Sequence, residues 1–363
     1  MLKIALVIPT LGRGGAERLV TQLANALSSG NEVHLFVLFR TKDIIEHVNN
    51  PLVKITFLGE LRNKAQVYFR LNRALIKFKP NVLHTHLSAV AYVIPASIWL
   101  RINIGAKCFH TLHNIATHDS PGVLRLIYRV VFRSKAFEPI AISNVVRESV
   151  EKLFNAKNVV VIKNGVQKPG LSDRVGDVLR SIDNFKRKTG ARKVLLCLAR
   201  IHQQKNIKLL LSLARGNSEV AIVLAGEKSS SDLAYYEEVM SELSKLDNVL
   251  YLGAIDNVGD YIYSSDALIL TSSFEGLPMA IIESMSMGKN IISTSVGGVP
   301  EVVGGFGYLS RDVDYFSLME QVNAYMNAPQ SENNRRADIA TQVYRDLYSI
   351  DICAINHLKV YRG

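Results

Sequence analysis

The chain has only three cysteines in 363 residues, Cys108, Cys197 and Cys353, far apart and odd in number. That excludes a disulfide framework as its source of stability. It has no hydrophobic run long enough for a membrane span: the most apolar stretch, Leu87–Leu100, is short and broken by Pro95. The N-terminus MLKIALVIPT runs directly into a strand pattern with no cleavage site, so a cytoplasmic protein is expected. Repeats, low-complexity tracts and long polar tails are missing. So are zinc-finger, helix-turn-helix and aromatic RNA-binding signatures, which argues against a nucleic-acid partner. What remains, 48% hydrophobic and 21% charged residues, is the composition of a globular protein large enough for two cores.

Acidic residues are scarce in one half only. Residues 1–165 hold 22 Lys and Arg against 9 Asp and Glu, and residues 166–363 hold 21 against 23. The net charge of +11 therefore belongs to the first half. Leu61–Lys79 carries six basic residues and no acid, with apolar positions at near-helical spacing. In Val123–Lys135, Arg125, Arg129 and Arg133 recur every four residues and share a helix face. Basic amphipathic helices suit an anionic membrane surface, so peripheral attachment through the first half is expected.

Short apolar runs alternate with helical patterns from end to end, which predicts an α/β protein with parallel sheets covered on both faces. The strand candidates are Lys3–Pro9, Glu32–Phe39, Val53–Leu58, Val82–Thr85, Lys107–Leu112, Pro139–Ser143 and Val159–Lys163 in the first half. In the second they are Lys193–Ala199, Val220–Ala225, Val249–Leu252, Ala267–Thr271, Asn290–Thr294 and Gly307–Leu309. The pattern breaks at NGVQKPG near residue 165 and restarts at KVLLCLA. Two doubly wound, Rossmann-like domains facing a central cleft are expected, 1–166 and 167–345, followed by a terminal helix, 346–363.

In open parallel sheets, ligands bind beyond the carboxyl ends of the strands. On that rim the second half places Arg200 and Lys205, then Gly226 and Glu227, then Glu275, then Gly297, Gly298, Pro300 and Glu301. In SFEGLPMAIIE, Gly276 permits a turn and Pro278 suits a helix start. This puts Glu275 in the loop and Glu283 inside the helix. Arg200 and Lys205 can hold a diphosphate, the arginine through its planar fork and the lysine as a point charge. Two carboxylates beside cations and an anion-attracting helix start suit a nucleotide sugar. In the first half, Thr10–Glu17 forms a Gly-rich turn in which Gly14 and Gly15 precede a helix. It departs from the dinucleotide fingerprint because Glu17 occupies the last glycine position, and the second strand ends in Arg40, so a nicotinamide dehydrogenase is disfavoured. His84, His86, His110 and His113 lie close in sequence, but no cysteine or carboxylate completes a zinc site. Asp312-Val313-Asp314 resembles a metal-holding D-x-D, yet its place before YFSLMEQV predicts helix capping. Metal: none is expected.

With SFEGLPMAIIESMSMG, the chain resembles the retaining glycosyltransferases of family 4, which have the GT-B fold. GGAER at 14–18, FHTLHN at 109–114, NGV at 164–166, LARIHQQKN at 198–206, LAGE at 224–227 and VGGVPEVV at 296–303 match in order. The resemblance implies that Glu275 contacts donor sugar hydroxyls and Glu283 the ribose. Arg200 and Lys205 would grip the diphosphate. Gly276, Leu277 and Pro278 would supply backbone contacts, His113 would face the sugar, and Gly14 and Gly15 would line the phosphates and the acceptor. Glu227 is placed with the donor-binding residues. Around the basic pair the family often has glycines where this chain has Ala199 and Asn206; asparagine is a common variant at the second of these positions, so activity is still expected. No cofactor is expected beyond the donor. The donor would be a nucleotide diphosphate sugar, a UDP-sugar before GDP-mannose, with a hexosyl or N-acetylhexosaminyl unit moved without metal. The acceptor would be a lipid-linked saccharide in bacterial surface-polysaccharide assembly (O-antigen, capsule or exopolysaccharide). Base choice is expected from Glu227–Ser231 and Gly253–Val258. Competing readings are a nucleotide-sugar 2-epimerase and a non-catalytic sugar-nucleotide-binding subunit; a glycogen-type phosphorylase would need a longer chain.

Overall fold

The computed structural model describes residues 1–12, 14–41, 50–229 and 232–363. They divide into two compact units, one of Met1–Val166 with Leu347–Gly363 and one of Gln167–Asp346.

Unit 1 begins with β1 (Lys3–Ile8), α1 (Gly15–Leu27), β2 (Glu32–Phe39) and β3 (Val53–Gly59). It continues through α2 (Lys64–Phe78), β4 (Val82–His86), α3 (Ile94–Ile104), β5 (Lys107–Leu112), α4 (Ala116–Asp119), α5 (Val123–Arg133), β6 (Glu138–Ala141), α6 (Asn144–Phe154) and β7 (Val160–Val161). The strands pair in parallel in the order β3-β2-β1-β4-β5-β6-β7. Near-continuous apolar strands such as β1 and β2 are buried along almost their whole length, as strands covered on both faces must be.

Unit 2 repeats the scheme: α7 (Val175–Thr189), β8 (Lys193–Leu198), α8 (Ile207–Gly216), β9 (Val220–Ala225), α9 (Leu233–Leu243), β10 (Val249–Tyr251), α10 (Val258–Ser264) and β11 (Ala267–Leu270). Then come α11 (Met279–Ser286), β12 (Asn290–Thr294), α12 (Val299–Val303), β13 (Tyr308–Ser310), α13 (Tyr315–Asn327) and α14 (Gln330–Val343). Its parallel sheet runs β10-β9-β8-β11-β12-β13. In both sheets the direction of winding reverses beside the first strand, between β1 and β4 and between β8 and β11. These are the switch points at which a doubly wound sheet opens a crevice.

The last helix, α15 (Ile350–Arg362), returns to unit 1 and packs on α1. Its entry is fixed by backbone pairing: the Val166 amide donates to Tyr348 O at 2.9 Å, and the Ile350 amide donates to Val166 O at 3.1 Å. Asp314 caps α13, accepting from the Ser317 amide at 2.9 Å, the capping role expected of that aspartate. Among the described residues no helix is long and apolar enough to cross a membrane.

Candidate active site

Two loops meet at the switch point of unit 2. The first leaves β8 through Arg200 and closes a short 3-10 turn at Gln203–Lys205. The second leaves β11 and reaches Glu275 before α11 starts. They are laced together: the Ser273 amide donates to Gln204 O at 2.8 Å, Gln204 Nε2 donates to Phe274 O at 3.0 Å, and Thr271 Oγ1 donates to Lys205 O at 2.9 Å. This lacing delivers Lys205 Nζ to 2.5 Å from Glu275 Oε1. Ser272 Oγ donates to the same carboxylate oxygen at 2.6 Å. The Glu275 residue is 5% exposed, so its charge is held by a lysine and a hydroxyl and not by bulk water.

Asn206 decides whether that turn can form. Its backbone is left-handed, φ 49° and ψ 50°, where the family often has glycine. Asparagine enters this region more readily than other residues with a Cβ, so the substitution preserves the turn. Glycine is indispensable at Gly297, where φ is 54° and a Cβ would lie 1.7 Å from Glu275 O. The β12–α12 loop rests on the Glu275 backbone here, and the Gly298 amide donates to Glu275 O at 3.2 Å.

Arg200 is exposed on this rim. The strand pairing of β8 with β9 continues past both ends: the Ala199 amide donates to Ala225 O at 3.0 Å and the Ile201 amide to Glu227 O at 2.9 Å. Arg200 and Glu227 therefore leave adjacent strands side by side. A Cβ on Gly226 would lie 1.9 Å from Ala199 O, so glycine permits that approach. Gly276, Leu277 and Pro278 are buried between Glu275 and α11. Pro278, expected as the first residue of the helix, is the N-cap of α11, which begins one position later at Met279. Glu283, 2% exposed, lies one turn inside α11. Ser230 and Ser231, expected near the base, lie outside the described residues.

In unit 1, Gly14 is the N-cap of α1 and Gly15 its first residue, while Arg13 lies outside the described residues. Thr10 Oγ1 donates to Glu17 Oε1 at 3.3 Å across the same turn. His113 follows β5, and its Nε2 shares a hydrogen bond with His86 Nδ1 at 3.1 Å. Its amide donates to Asp119 Oδ2 at 2.8 Å. Burial, with His357 adding to it, pulls the His113 imidazole down to about 4, so it is neutral at pH 7. Burial pushes the Asp119 carboxyl up to about 6. Behind His86, the His84 ring shares hydrogen bonds with Tyr361 Oη at 2.6 Å and Thr111 Oγ1 at 2.7 Å. His357 lies 5.5 Å from His84 between ring centroids. The histidines thus form a neutral cluster around the ends of β4 and β5, buried except for the half-buried His113 and joined by the last helix.

Residues 13–168 match the family model Glycosyltransferase Family 4, and residues 180–344 match Glycosyl transferases group 1. Together the two span most of the chain. The chain belongs to the glycosyltransferases of family 4. A Campylobacter jejuni relative named GalNAc-alpha-(1->4)-GalNAc-alpha-(1->3)-diNAcBac-PP-undecaprenol alpha-1,4-N-acetyl-D-galactosaminyltransferase is 27% identical over 81% of this chain and 80% of its own. An Escherichia coli relative named UDP-Gal:alpha-D-GlcNAc-diphosphoundecaprenol alpha-1,3-galactosyltransferase is 26% identical over 72% and 70%. Among solved structures, Anabaena HepE in complex with UDP and glucose superposes with a TM-score of 0.81 at 16% identity, covering 100% of both chains. At that identity the likeness shows the fold, which is GT-B.

In this glycosyltransferase Lys205 and Glu275 touch, and Arg200 and Glu227 leave β8 and β9 on the same rim of the unit 2 sheet. Sequence reasoning missed Ser272 and Gln204, although each stands within three residues of an identified group. It also missed Asp119 and His357. His357 carried no local signal, because 244 positions separate it from His113.

Proposed function

We propose that this glycosyltransferase moves a hexosyl or N-acetylhexosaminyl unit from a UDP-sugar to a lipid-linked saccharide, with retention at the anomeric carbon and without metal. The observation that carries the reading is the Lys205–Glu275–Ser272 contact at the switch point, flanked by Arg200. Arg200 and Lys205 take the diphosphate and offset the negative charge that grows as it departs. Their two positive charges supply the neutralisation that a divalent cation would otherwise give. The first amides of α11 face the same way and add a partial positive charge. Glu275 accepts from the donor sugar hydroxyls, with Ser272 and Lys205 holding its carboxylate in place. Glu283 accepts from the ribose, and Glu227 lies with the donor-binding groups. Gly276, Leu277 and Pro278 give backbone contacts. In unit 1, Gly14 and Gly15 open the α1 amides towards an anion, and neutral His113 is the candidate for contact with a sugar hydroxyl.

The relatives support the substrate classes: one names a UDP-galactose donor, and two name undecaprenyl diphosphate acceptors. The HepE complexes hold UDP and glucose or UDP-glucose. An acceptor of this kind places the reaction at the inner face of a bacterial membrane, during surface-polysaccharide assembly. The basic helices α2 and α5 support that placement. On α5, Val123, Leu126 and Val130 are exposed beside Arg125, Arg129 and Arg133. On α2, Phe69 is exposed beside Arg70 and Arg73.

The test incubates the protein with UDP-, GDP- and ADP-sugars and a diphosphoundecaprenyl saccharide, with and without EDTA, and reads product anomers by NMR. The expected result is transfer from one or more UDP-sugars with the donor's anomeric configuration, unchanged by EDTA. Inverted product, or activity abolished by EDTA and restored by magnesium, overturns the mechanism. Sugar-nucleotide conversion without acceptor establishes an epimerase instead.

A further inference from the structure

Two histidines meet at the carboxyl ends of neighbouring strands in unit 1. His86 closes β4 and pairs in register with Thr111 of β5, and His113 follows β5 directly. His86 Nδ1 and His113 Nε2 share a hydrogen bond at 3.1 Å. Either ring could supply its hydrogen, and the choice decides what His113 presents to a substrate.

Burial holds both imidazoles neutral at pH 7, so each ring carries one N–H and one bare nitrogen. His86 is 1% exposed, and its Nε2 is sealed without a hydrogen-bond partner among the described residues. A sealed N–H with no acceptor forfeits a hydrogen bond outright, and unpaired buried N–H groups are rarer than unpaired acceptors. The hydrogen of His86 therefore sits on Nδ1, and His86 donates to His113 Nε2. His110, in the same cluster, makes the same choice. Thr85 Oγ1 donates to Phe109 O at 3.2 Å and so accepts from His110 Nδ1 at 2.9 Å, which leaves His110 Nε2 as a sealed, bare nitrogen. With its Nε2 accepting, His113 carries its hydrogen on Nδ1. That nitrogen has no hydrogen-bond partner among the described residues, belongs to a half-buried side chain and, unlike His86 Nε2, is not sealed from solvent. His86 is itself braced: its ring centroid lies 4.2 Å from that of His84, whose two nitrogens are held by Tyr361 Oη and Thr111 Oγ1.

We propose that His86 is a positioning residue for the transfer: by donating to His113 Nε2 it sets His113 as an Nδ1–H donor to an oxygen of the transferred sugar. The role rests on the reading of His113 as a sugar contact. The opposite tautomer would present a bare nitrogen, able only to accept from a sugar hydroxyl.

Long-range proton–nitrogen NMR of the full chain at pH 7.5 reads the tautomer of each ring with no substrate present, and the spectrum of His113→Ala assigns the His113 signals. His113 is expected as Nδ1–H, the form that a free imidazole side chain disfavours, and as Nε2–H in His86→Leu. His86→Leu is expected to lower kcat about 10-fold, as loss of one aligned hydrogen bond does, with UDP affinity unchanged. His86→Asn keeps a side-chain N–H near the place of Nδ1 and should return kcat to within about 3-fold of the unmodified chain. His113→Ala is expected to be impaired, and adding His86→Leu to it should cost no further kcat, which a merely structural role for His86 would not give. The Nε2–H tautomer of His113 in the unmodified chain overturns the proposal. So does an unchanged kcat in His86→Leu, an equal loss in His86→Leu and His86→Asn, or a further loss in the double variant. Transfer by His113→Ala at the unmodified rate refutes the sugar contact and the proposal with it, whereas impaired His113→Ala beside an Nε2–H tautomer refutes the proposal alone.

Discussion

The Gly297→Ala substitution tests whether the β12–α12 loop holds Glu275 in position. Two costs are separable. The first is conformational: Gly297 has φ 54°, and a residue with a Cβ in the left-handed region costs about 1–2 kcal/mol. The second is steric: the new methyl would sit 1.7 Å from Glu275 O and 2.8 Å from the Glu275 carbonyl carbon, so the two backbones must part. The parting falls on the residue whose side chain meets Lys205 and Ser272. Gly190→Ala isolates the first cost, because Gly190 has φ 69° in the same unit and a Cβ there would meet nothing within 4 Å. Thermal unfolding and steady-state transfer are measured for both variants. Gly190→Ala is expected to lower Tm by roughly 2–8 °C and leave kcat nearly unchanged. Gly297→Ala is expected to lower Tm further and to reduce kcat about 100-fold, the effect of displacing a binding group by about 1 Å. Nucleotide affinity, assigned in the proposed function to Glu283 and the cations, should fall far less. If Gly297→Ala loses no more activity than Gly190→Ala, the loop does not position Glu275 and the argument fails.

Glu275→Ala is expected to abolish transfer and spare UDP binding, while Glu283→Ala weakens UDP binding; equal loss of UDP affinity in both would overturn the assigned roles. The histidine cluster predicts acid sensitivity. His110 is pulled down to about 3 and His113 and His357 to about 4, each chiefly by burial, against 6.5 when unfolded. Their contribution is therefore fully present above 6.5 and lost as pH falls towards 4. Between pH 7.5 and 5.5 each loses about 1.3 kcal/mol, and Asp119, raised to about 6, returns about 1 kcal/mol. Urea unfolding should show a net loss of about 3 kcal/mol or more over that interval, and an unchanged midpoint would show that the cluster is not held neutral. Binding to anionic vesicles is expected to weaken as salt rises and to drop when Arg125, Arg129 and Arg133 become glutamate; salt-independent binding, or none, removes the membrane surface from the account.

Strand and helix alternation was legible because doubly covered parallel strands must be apolar throughout, and each interval expected to be a strand overlaps one. The ends were less legible. Pro278 caps α11 and does not begin it, because proline's fixed φ suits both positions. Asn206 read as a common variant that departs from the family's glycine, and its left-handed backbone angles give the physical reason that the departure is conservative. Ser272 could have been suspected from its place three residues before Glu275. Gln204 could not, because what it does is to bridge two loops that sequence separates by 70 positions.

The sequence by itself determined the two-unit α/β architecture, the uneven charge and the carboxylates and cations that lie beyond the carboxyl ends of the unit 2 strands. Local patterning is enough for these, since burial on both faces and the loop position after a strand are written in neighbouring residues. Tertiary structure decided which of those groups touch. It brought Lys205 onto Glu275 through the β8–β11 crossing and set Gly297 against the Glu275 backbone. It also carried His357 from the far end of the chain into the β4–β5 histidines. Contacts of that kind depend on loops closing over long separations, for which no short stretch of sequence carries the information.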